Sequence, residues 1–271
     1  MSAMLASVRT REEALLALEG GADLIDLKDP ARGALGALDS ATARTIVTTI
    51  AGRAPVSATI GDFPSMDPAE ILAAAQRTAD TGVDVVKVGF FPALSQAACA
   101  RAMAPLARGL PVVAVLFADL SRDPALVETL AECGFAGAML DTAGKKSSSL
   151  LGHLDLATLG AFVQRVRGCG MFAGLAGSLR EQDISALLAL DPDYLGFRGA
   201  LCAGGQRGGA LDPAAFARIR AAIPRAAAPG AWFPGLRTRS AGAQSPEAGA
   251  VCTATSSPSG TPLASMRLKR A

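Results

Sequence analysis

The chain is poor in histidine, aromatic residues and lysine, and these shortages exclude several kinds of site. It has 271 residues with a single histidine, and aromatic residues make up 4% of it. His153 alone cannot supply a histidine-rich metal site, and the five cysteines are scattered without a CxxC pair. We therefore expect free thiols, as in a reducing cytoplasm, and neither a metal nor a cofactor.

Long apolar runs and strong net charge are also missing. No stretch is apolar enough to span a bilayer. Met1 to Thr10 lacks the basic segment followed by an apolar one that is typical of a signal peptide. The net charge is only +2, and the excess of positive charge lies in the C-terminal stretch. The remainder therefore lacks the positive charge that is typical of a nucleic-acid-binding surface. We expect a cytoplasmic protein with no membrane or nucleic-acid partner.

Apolar residues, in contrast, make up 50% of the chain, and they are arranged in an alternating pattern. Short apolar or β-branched runs alternate about eight times with longer amphipathic ones, from a strand at Ala3 to Val8 to a helix at Asp212 to Ala222. Such alternation indicates a parallel sheet. We therefore predict the α/β class and a (β/α)8 TIM-type barrel over residues 1–225.

The C-terminal residues differ from the predicted barrel. Residues 226–271 are rich in proline, glycine and serine without any period, which predicts a disordered tail.

An open doubly wound sheet is the alternative to the barrel. It would need a glycine-rich phosphate loop after the first strand, where the chain instead has Val8 to Arg11.

Lysine is the sharpest signal of chemistry. Barrel enzymes place their sites at the carboxyl ends of the strands. Of the 26 lysine and arginine residues only five are lysine, and three of these, Lys28, Lys87 and Lys145, stand at strand ends. Lysine can lose its proton at usable pH whereas arginine cannot, so lysine can serve as an imine-forming nucleophile or a base.

Strand alternation brings two carboxylates to these lysines. Asp26 and Lys28 share one face of the second strand, and polar groups are unfavourable among packed helices, so that face should point into the barrel mouth. Two ammonium groups held together in a water-poor mouth lower each other's pKa, and desolvation acts in the same direction. Asp26 and Asp141 would limit this effect and could shuttle protons.

A second signal predicts phosphate binding. Barrels often bind phosphate with the loops that follow strands seven and eight. Gly177 and Ser178 stand after the seventh strand, at the start of a helix predicted from Ser178 to Leu190, and Arg198 and Gly199 follow the eighth. Glycines and a further arginine follow in the run 204–209. The remaining predicted substrate contacts are Ser57 and Thr59, at the end of the third strand.

These motifs, in this order, resemble the (5-formylfuran-3-yl)methyl phosphate synthase family of methanofuran biosynthesis. The matching segments are Ala22 to Pro30 with Gly33 and Gly36, Val56 to Asp62, Val86 to Gly89, Asp141 to Ala143, Leu175 to Ser178, and Arg198 to Cys202. They cover almost the whole predicted barrel. The segment from Gly144 to Ser149 and the tail depart from the family pattern.

The resemblance implies a lyase that condenses two molecules of glyceraldehyde 3-phosphate into a furan aldehyde phosphate, in a cytoplasmic TIM barrel that we expect to be a homo-oligomer. It implies Lys28 as the Schiff-base lysine and Lys87 as the proton acceptor, with Asp141 and Lys145 in the site. Two alternatives remain open. One is another Schiff-base sugar-phosphate aldolase, which would release an open-chain product without furan absorbance. The other is a non-catalytic barrel that binds a phosphorylated ligand.

Overall fold

A computed structural model describes residues 2–120, 125–144 and 148–224 of the chain. Eight parallel strands form a closed barrel in sequence order, and β1 also pairs with β8. The strands are β1 (Ala3–Val8), β2 (Leu24–Leu27), β3 (Val56–Thr59), β4 (Val85–Phe90), β5 (Val112–Phe117), β6 (Gly137–Asp141), β7 (Phe172–Leu175) and β8 (Tyr194–Phe197). The predicted TIM-type barrel is confirmed. The predicted tail at 226–271 lies outside the described residues.

A helix follows each strand. The helices are α1 (Arg11–Glu19), α2 (Ser40–Ile50), α3 (Pro68–Ala79), α4 (Gln96–Ala107), α5 (Leu126–Glu132), α6 (Leu156–Gly168), α7 (Ile184–Leu188) and α8 (Pro213–Ala221). Five of them begin at a side-chain cap, in which an oxygen of the residue before the helix accepts a backbone N–H of the first turn. Among the described helices we find none with the length and apolar character needed to cross a bilayer.

The prediction for the seventh helix was wrong at its start. The helix does not begin at Ser178, because Gly177 has φ 111° and Ser178 has φ 51°, which are left-handed values that a helix cannot contain. A 3₁₀ turn at Glu181–Asp183 and the short α7 take its place. The residues after β7 therefore form a loop.

Two separate apolar cores support the barrel. Side chains of one parity on each strand pack outward against the helices, as Ile25 and Leu27 do on β2. Side chains of the other parity fill the barrel interior, among them Leu5, Leu24 and Tyr194. The Tyr194 ring fits because Gly174 faces it: a Cβ at Gly174 would lie 2.3 Å from the ring. The interior is thus packed below the mouth, and polar groups occupy its upper layer.

Aspartates close the amino end of the barrel by a repeated device. Asp23, Asp84 and Asp193 stand just before even-numbered strands. Each carboxylate accepts a backbone N–H at the start of the preceding strand, from Met4 at 2.8 Å, Val56 at 2.8 Å and Ala173 at 2.7 Å respectively. Two of these carboxylates follow a glycine and an apolar residue, in Gly21-Ala22-Asp23 and Gly82-Val83-Asp84. They satisfy N–H groups that lie at the beginning of the ladder.

Candidate active site

Two lysine–carboxylate pairs lie at the carboxyl end of the barrel. The Lys87 Nζ is 3.0 Å from Asp26 Oδ1, and the Lys28 Nζ is 3.3 Å from Asp141 Oδ2. Strand alternation turns all four side chains inward, as predicted, and all four residues are buried. The structure therefore brings together four of the five predicted catalytic residues. The fifth, Lys145, lies outside the described residues.

Asp26 is the centre of the buried network. Its carboxylate accepts hydrogen bonds from Ser57 Oγ at 2.7 Å and Ser7 Oγ at 2.9 Å, besides the bond from Lys87. Burial by itself would raise the pKa of this carboxyl, but the charges of Lys87 and Lys28 and the Ser57 bond outweigh burial and lower it. Asp26 is consequently a fixed anion between hydroxyl donors and an amine.

Lys87 is the amine whose environment departs most from water. Burial lowers its pKa, and the neighbouring Lys28 charge acts in the same direction, while Asp26 and Asp141 oppose the shift. Its exposed fraction is 2%. A lysine held in this way loses its proton more readily than one in solvent, which is what a general base requires.

Lys28 and Lys87 open onto a cavity of about 1070 Å³. Asp141 lines it beside them, and Gly177, Ser178, Gly199 and Ala200 line the side formed by the loops after β7 and β8. The Lys28 amine and the two glycine-containing loops thus face the same cavity.

The loop between β2 and α2 roofs the Lys87 side of the mouth. The Asp62 carboxylate accepts the N–H groups of Ala34 and Leu35, each at 2.8 Å. Leu35 is 1% exposed and packs onto Gly89, where an added Cβ would lie 2.7 Å from the Leu35 side chain. This roof leaves the cavity open on the side of β7, β8 and β1, and it helps to exclude water from Lys87.

Unpaired backbone N–H groups are among the donors of the two glycine-containing loops. Among the described residues, the N–H groups of Gly177, Ser178, Gly199 and Ala200 have no protein acceptor at hydrogen-bonding distance. Gly177 is required by the close approach of its loop to β6, because an added Cβ would lie 2.9 Å from the Thr142 side chain. Unpaired N–H groups grouped in this way suit an anion.

Arg198 lines the cavity, but its guanidinium is already fully used. Nε donates to Arg207 O, Nη1 donates to Ser7 O and Glu13 Oε2, and Nη2 donates to Glu13 Oε1 and Gly209 O. All five N–H donors are therefore occupied. The structure corrects the interpretation of this side chain as a phosphate ligand, since its bonds hold the loop after β8 against α1.

The two other predicted substrate contacts also have protein partners. Ser57 donates to Asp26, and Thr59 Oγ1 lies 3.3 Å from Leu27 O and 3.2 Å from Gly36 O. Neither residue lines the cavity. The structure places them as supports, Ser57 for the carboxylate and Thr59 for the roof loop.

The sequence analysis missed Ser7, Glu13 and Asp62. Ser7 was detectable, because it shares the inward face of β1 with Leu5 and lies in register with Asp26. Asp62 stands in one of the family motifs but carried no signal for its role. Glu13 stands in the first turn of α1 and accepts the Arg9 N–H at 2.9 Å. Its second role, as the partner of Arg198, depends on the closure of the barrel.

Comparison with known proteins gives a consistent family. The model of the 4-HFC-P synthase family matches residues 4–220. The chain is 49% identical over 229 residues to a Methylorubrum extorquens protein provisionally named (5-formylfuran-3-yl)methyl phosphate synthase, covering 82% of this chain and 93% of that protein. It is 38% identical over 216 residues to the Methanopyrus kandleri protein of that name, covering 75% of this chain and 91% of the other.

Solved structures with the same fold are more distant in sequence. A 3-hexulose-6-phosphate synthase superposes with a TM-score of 0.58 at 20% identity, covering 82% of this chain and 100% of that one. The phosphoribosyl anthranilate isomerase of Thermus thermophilus gives a TM-score of 0.55 at 19% identity, covering 82% and 98%. At such identities the likeness establishes the barrel alone.

Proposed function

The chain belongs to the 4-HFC-P synthase family, and we propose that it condenses two molecules of glyceraldehyde 3-phosphate into (5-formylfuran-3-yl)methyl phosphate through an imine on Lys28. The observation that carries the proposal is the arrangement of Lys28 and Lys87, each held by its own carboxylate, at a cavity that also contains unpaired backbone N–H groups. The product is taken from the name of the relatives. The two amines are suited to imine formation and proton transfer.

The first step is imine formation. The uncharged Lys28 Nζ adds to the aldehyde carbon of one triose phosphate, and the carbonyl oxygen leaves as water. Asp141 Oδ2, 3.3 Å from the nitrogen, is placed to accept a proton from it. The phosphate of the same molecule would bind the N–H groups of the loops after β7 and β8.

Carbon–carbon bond formation follows. The iminium acidifies the adjacent carbon because its nitrogen takes up the electron pair. Lys87, whose pKa is lowered by burial, accepts that proton, and Asp26 at 3.0 Å balances the ammonium that results. The enamine expels the phosphate from the third carbon of the same molecule, and that carbon then attacks C2 of the second triose phosphate, which has isomerised from the aldehyde to the ketone form.

Ring closure and dehydration complete the reaction. The free hydroxyl oxygen of the second triose closes the five-membered ring on C2 of the first, and the loss of two water molecules makes the ring aromatic. Hydrolysis or displacement of the imine frees Lys28. The net change is the loss of one phosphate and two water molecules from two triose phosphates, and the aromatic product makes the sequence effectively irreversible.

Trapping the imine tests this mechanism directly. Protein is incubated with glyceraldehyde 3-phosphate, reduced with borohydride and digested, and the peptides are analysed by mass spectrometry. We expect a reduced triose phosphate adduct on Lys28 and a rise in near-ultraviolet absorbance in unreduced samples. Lys28→Arg keeps the charge but cannot form the imine, so it should give neither signal.

Each signal excludes one alternative. An adduct on Lys28 without furan absorbance would indicate a different Schiff-base aldolase. An unmodified Lys28 peptide, together with wild-type behaviour of Lys28→Arg, would leave a binding barrel and refute the imine mechanism.

A further inference from the structure

Arg207 is an arginine of the cavity whose donors are only partly used. Its Nη2 donates to Pro30 O and to Gly33 O, both at 2.7 Å. Within residues 2–120, 125–144 and 148–224, its Nε and Nη1 have no acceptor, and no carboxylate oxygen lies within 4.0 Å of the guanidinium. One edge of the guanidinium is therefore attached to the loop after Lys28, and three N–H groups remain for another partner.

Arg198, in the same loop after β8, differs from Arg207 because all of its donors are used. Arg198 is held by Glu13 and by three carbonyl oxygens, with no N–H left over. The Arg207 side chain is partly buried without such a counter-ion. A guanidinium removed from water without a carboxylate partner is unfavourable by itself, and an anion in the cavity would compensate for that cost.

The position of Arg207 fits a phosphate. It lines the cavity together with Lys28, Gly177 and Ser178. It also lies next to Gly199, where an added Cβ would be 3.9 Å from the Arg207 Cβ. The free Nη1 N–H groups of this cation can donate charge-assisted hydrogen bonds to a phosphate oxygen, and the unpaired N–H groups of Gly177 and Gly199 can bind the others.

We infer that Arg207 is a substrate-binding residue that binds the phosphate of the aldehyde attached to Lys28. Because the same guanidinium donates to Pro30 and Gly33, a bound phosphate also fixes the loop that follows the lysine. Phosphorylated aldehydes are thereby selected over unphosphorylated ones. This inference rests on the proposed function for the identity of the aldehyde, but the phosphate site itself does not depend on it.

Two measurements on matched variants test the inference. Arg207→Met removes the guanidinium, and Arg207→Lys keeps a charge without the planar set of donors. Arg218→Met is the control, because Arg218 lies at the outer rim of the same cavity with 61% of its side chain exposed and already faces Glu181 at 3.7 Å. Thermal unfolding and circular dichroism establish that each variant is folded.

The first measurement is a calorimetric titration with inorganic phosphate, which involves no reaction. We expect the affinity of Arg207→Met to fall by roughly tenfold or more, that of Arg207→Lys to fall less, and that of Arg218→Met to stay near wild type. Wild-type affinity in Arg207→Met would overturn the inference whatever the enzyme does.

The second measurement compares borohydride trapping of glyceraldehyde 3-phosphate with that of glyceraldehyde on Lys28. A phosphate-binding role predicts that Arg207→Met loses trapping of the phosphorylated aldehyde by tenfold or more and keeps that of glyceraldehyde. Equal losses for both would show that Arg207 only holds the loop and would overturn the inference. If the wild type traps neither aldehyde, the proposed function fails and the phosphate titration alone decides the role of Arg207.

Discussion

The two ends of the barrel use the same residue type for opposite purposes. At the amino end, three aspartates accept backbone N–H groups and close the start of the strand ladder. At the carboxyl end, Asp26 and Asp141 pair with lysines. Asp23 and Asp26 are three positions apart around the same short strand, so the difference lies in which end of the barrel each one faces.

The pKa shifts of two carboxyl groups, one at each end, have opposite directions. Burial raises the pKa of Asp193, and its bond to the Ala173 N–H and the charge of Arg167 only reduce that shift. Asp26 is more deeply buried, yet the charges of Lys87 and Lys28 lower its pKa. The half-buried Asp193 is thus held by a backbone donor, whereas the fully buried Asp26 is a counter-ion of lysines.

An aspartate-to-asparagine substitution at each end of the barrel tests the comparison, and the largest expected effect is the loss of turnover at the carboxyl end. Asp26→Asn removes the counter-ion of Lys87, so the ammonium formed on proton abstraction is no longer balanced. We expect furan formation, followed by ultraviolet absorbance, to fall by at least about 10³-fold. Asp23→Asn, which weakens the contact with Arg220 at 2.7 Å, should keep wild-type kcat and lose stability instead. Comparable kcat losses in both variants would mean that the two ends are not functionally distinct.

The next effect is on stability and its pH dependence. In Asp26→Asn, Lys87 stays buried without its nearest anion. Between its lowered folded-state pKa and the ordinary value of about 10.4, the unfolded chain binds more protons than the folded one. Stability should therefore be reduced by about 2–4 kcal/mol near pH 7 and recover as pH rises, by at most about 1.4 kcal/mol per pH unit.

Urea denaturation between pH 6 and 10 measures this effect. Asp23→Asn is the matched control, since it leaves every lysine with its own carboxylate, and its loss of stability should be nearly constant over that range. A loss in Asp26→Asn that is equally independent of pH would show that Lys87 does not titrate in the folded protein at these pH values.

The sequence predicts the inward-facing residues at the carboxyl end of the barrel better than the tertiary contacts that hold the surrounding loops. The period of two in β2 turns Asp26 and Lys28 inward, and the structure confirms that face. The Glu13–Arg198 bond joins residues 185 positions apart, and it exists only because β8 returns to β1. Local pattern contains no such information, so the sequence favoured a ligand role for Arg198. The left-handed backbone at Ser178 is likewise imposed by tertiary contacts, since serine has no preference for it.

The smallest expected effect separates hydrogen bonding from charge at the amino end. Asp193→Asn can still accept the Ala173 N–H but carries no charge, whereas Asp193→Ala removes the acceptor. Since the carboxyl pKa of Asp193 is raised in the folded state, the folded chain binds more protons just above the ordinary aspartate value, and stability falls as pH rises through that window. Asp193→Asn should abolish this fall and stay within roughly 0.5 kcal/mol of wild type near pH 4.

Asp193→Ala should be about 1 kcal/mol less stable than Asp193→Asn at every pH, because the Ala173 N–H, at 2.7 Å from the carboxylate in the wild type, loses its acceptor. Chemical denaturation of the three proteins from pH 4 to 7, with kcat measured in parallel, distinguishes the two contributions. If Asp193→Asn were as unstable as Asp193→Ala, the charge itself would be stabilising. Asp193 would then act as a counter-ion, as Asp26 does, and the contrast between these two carboxylates would fail. The structure predicts the opposite result, because this carboxylate binds a neutral backbone donor whereas Asp26 binds an amine.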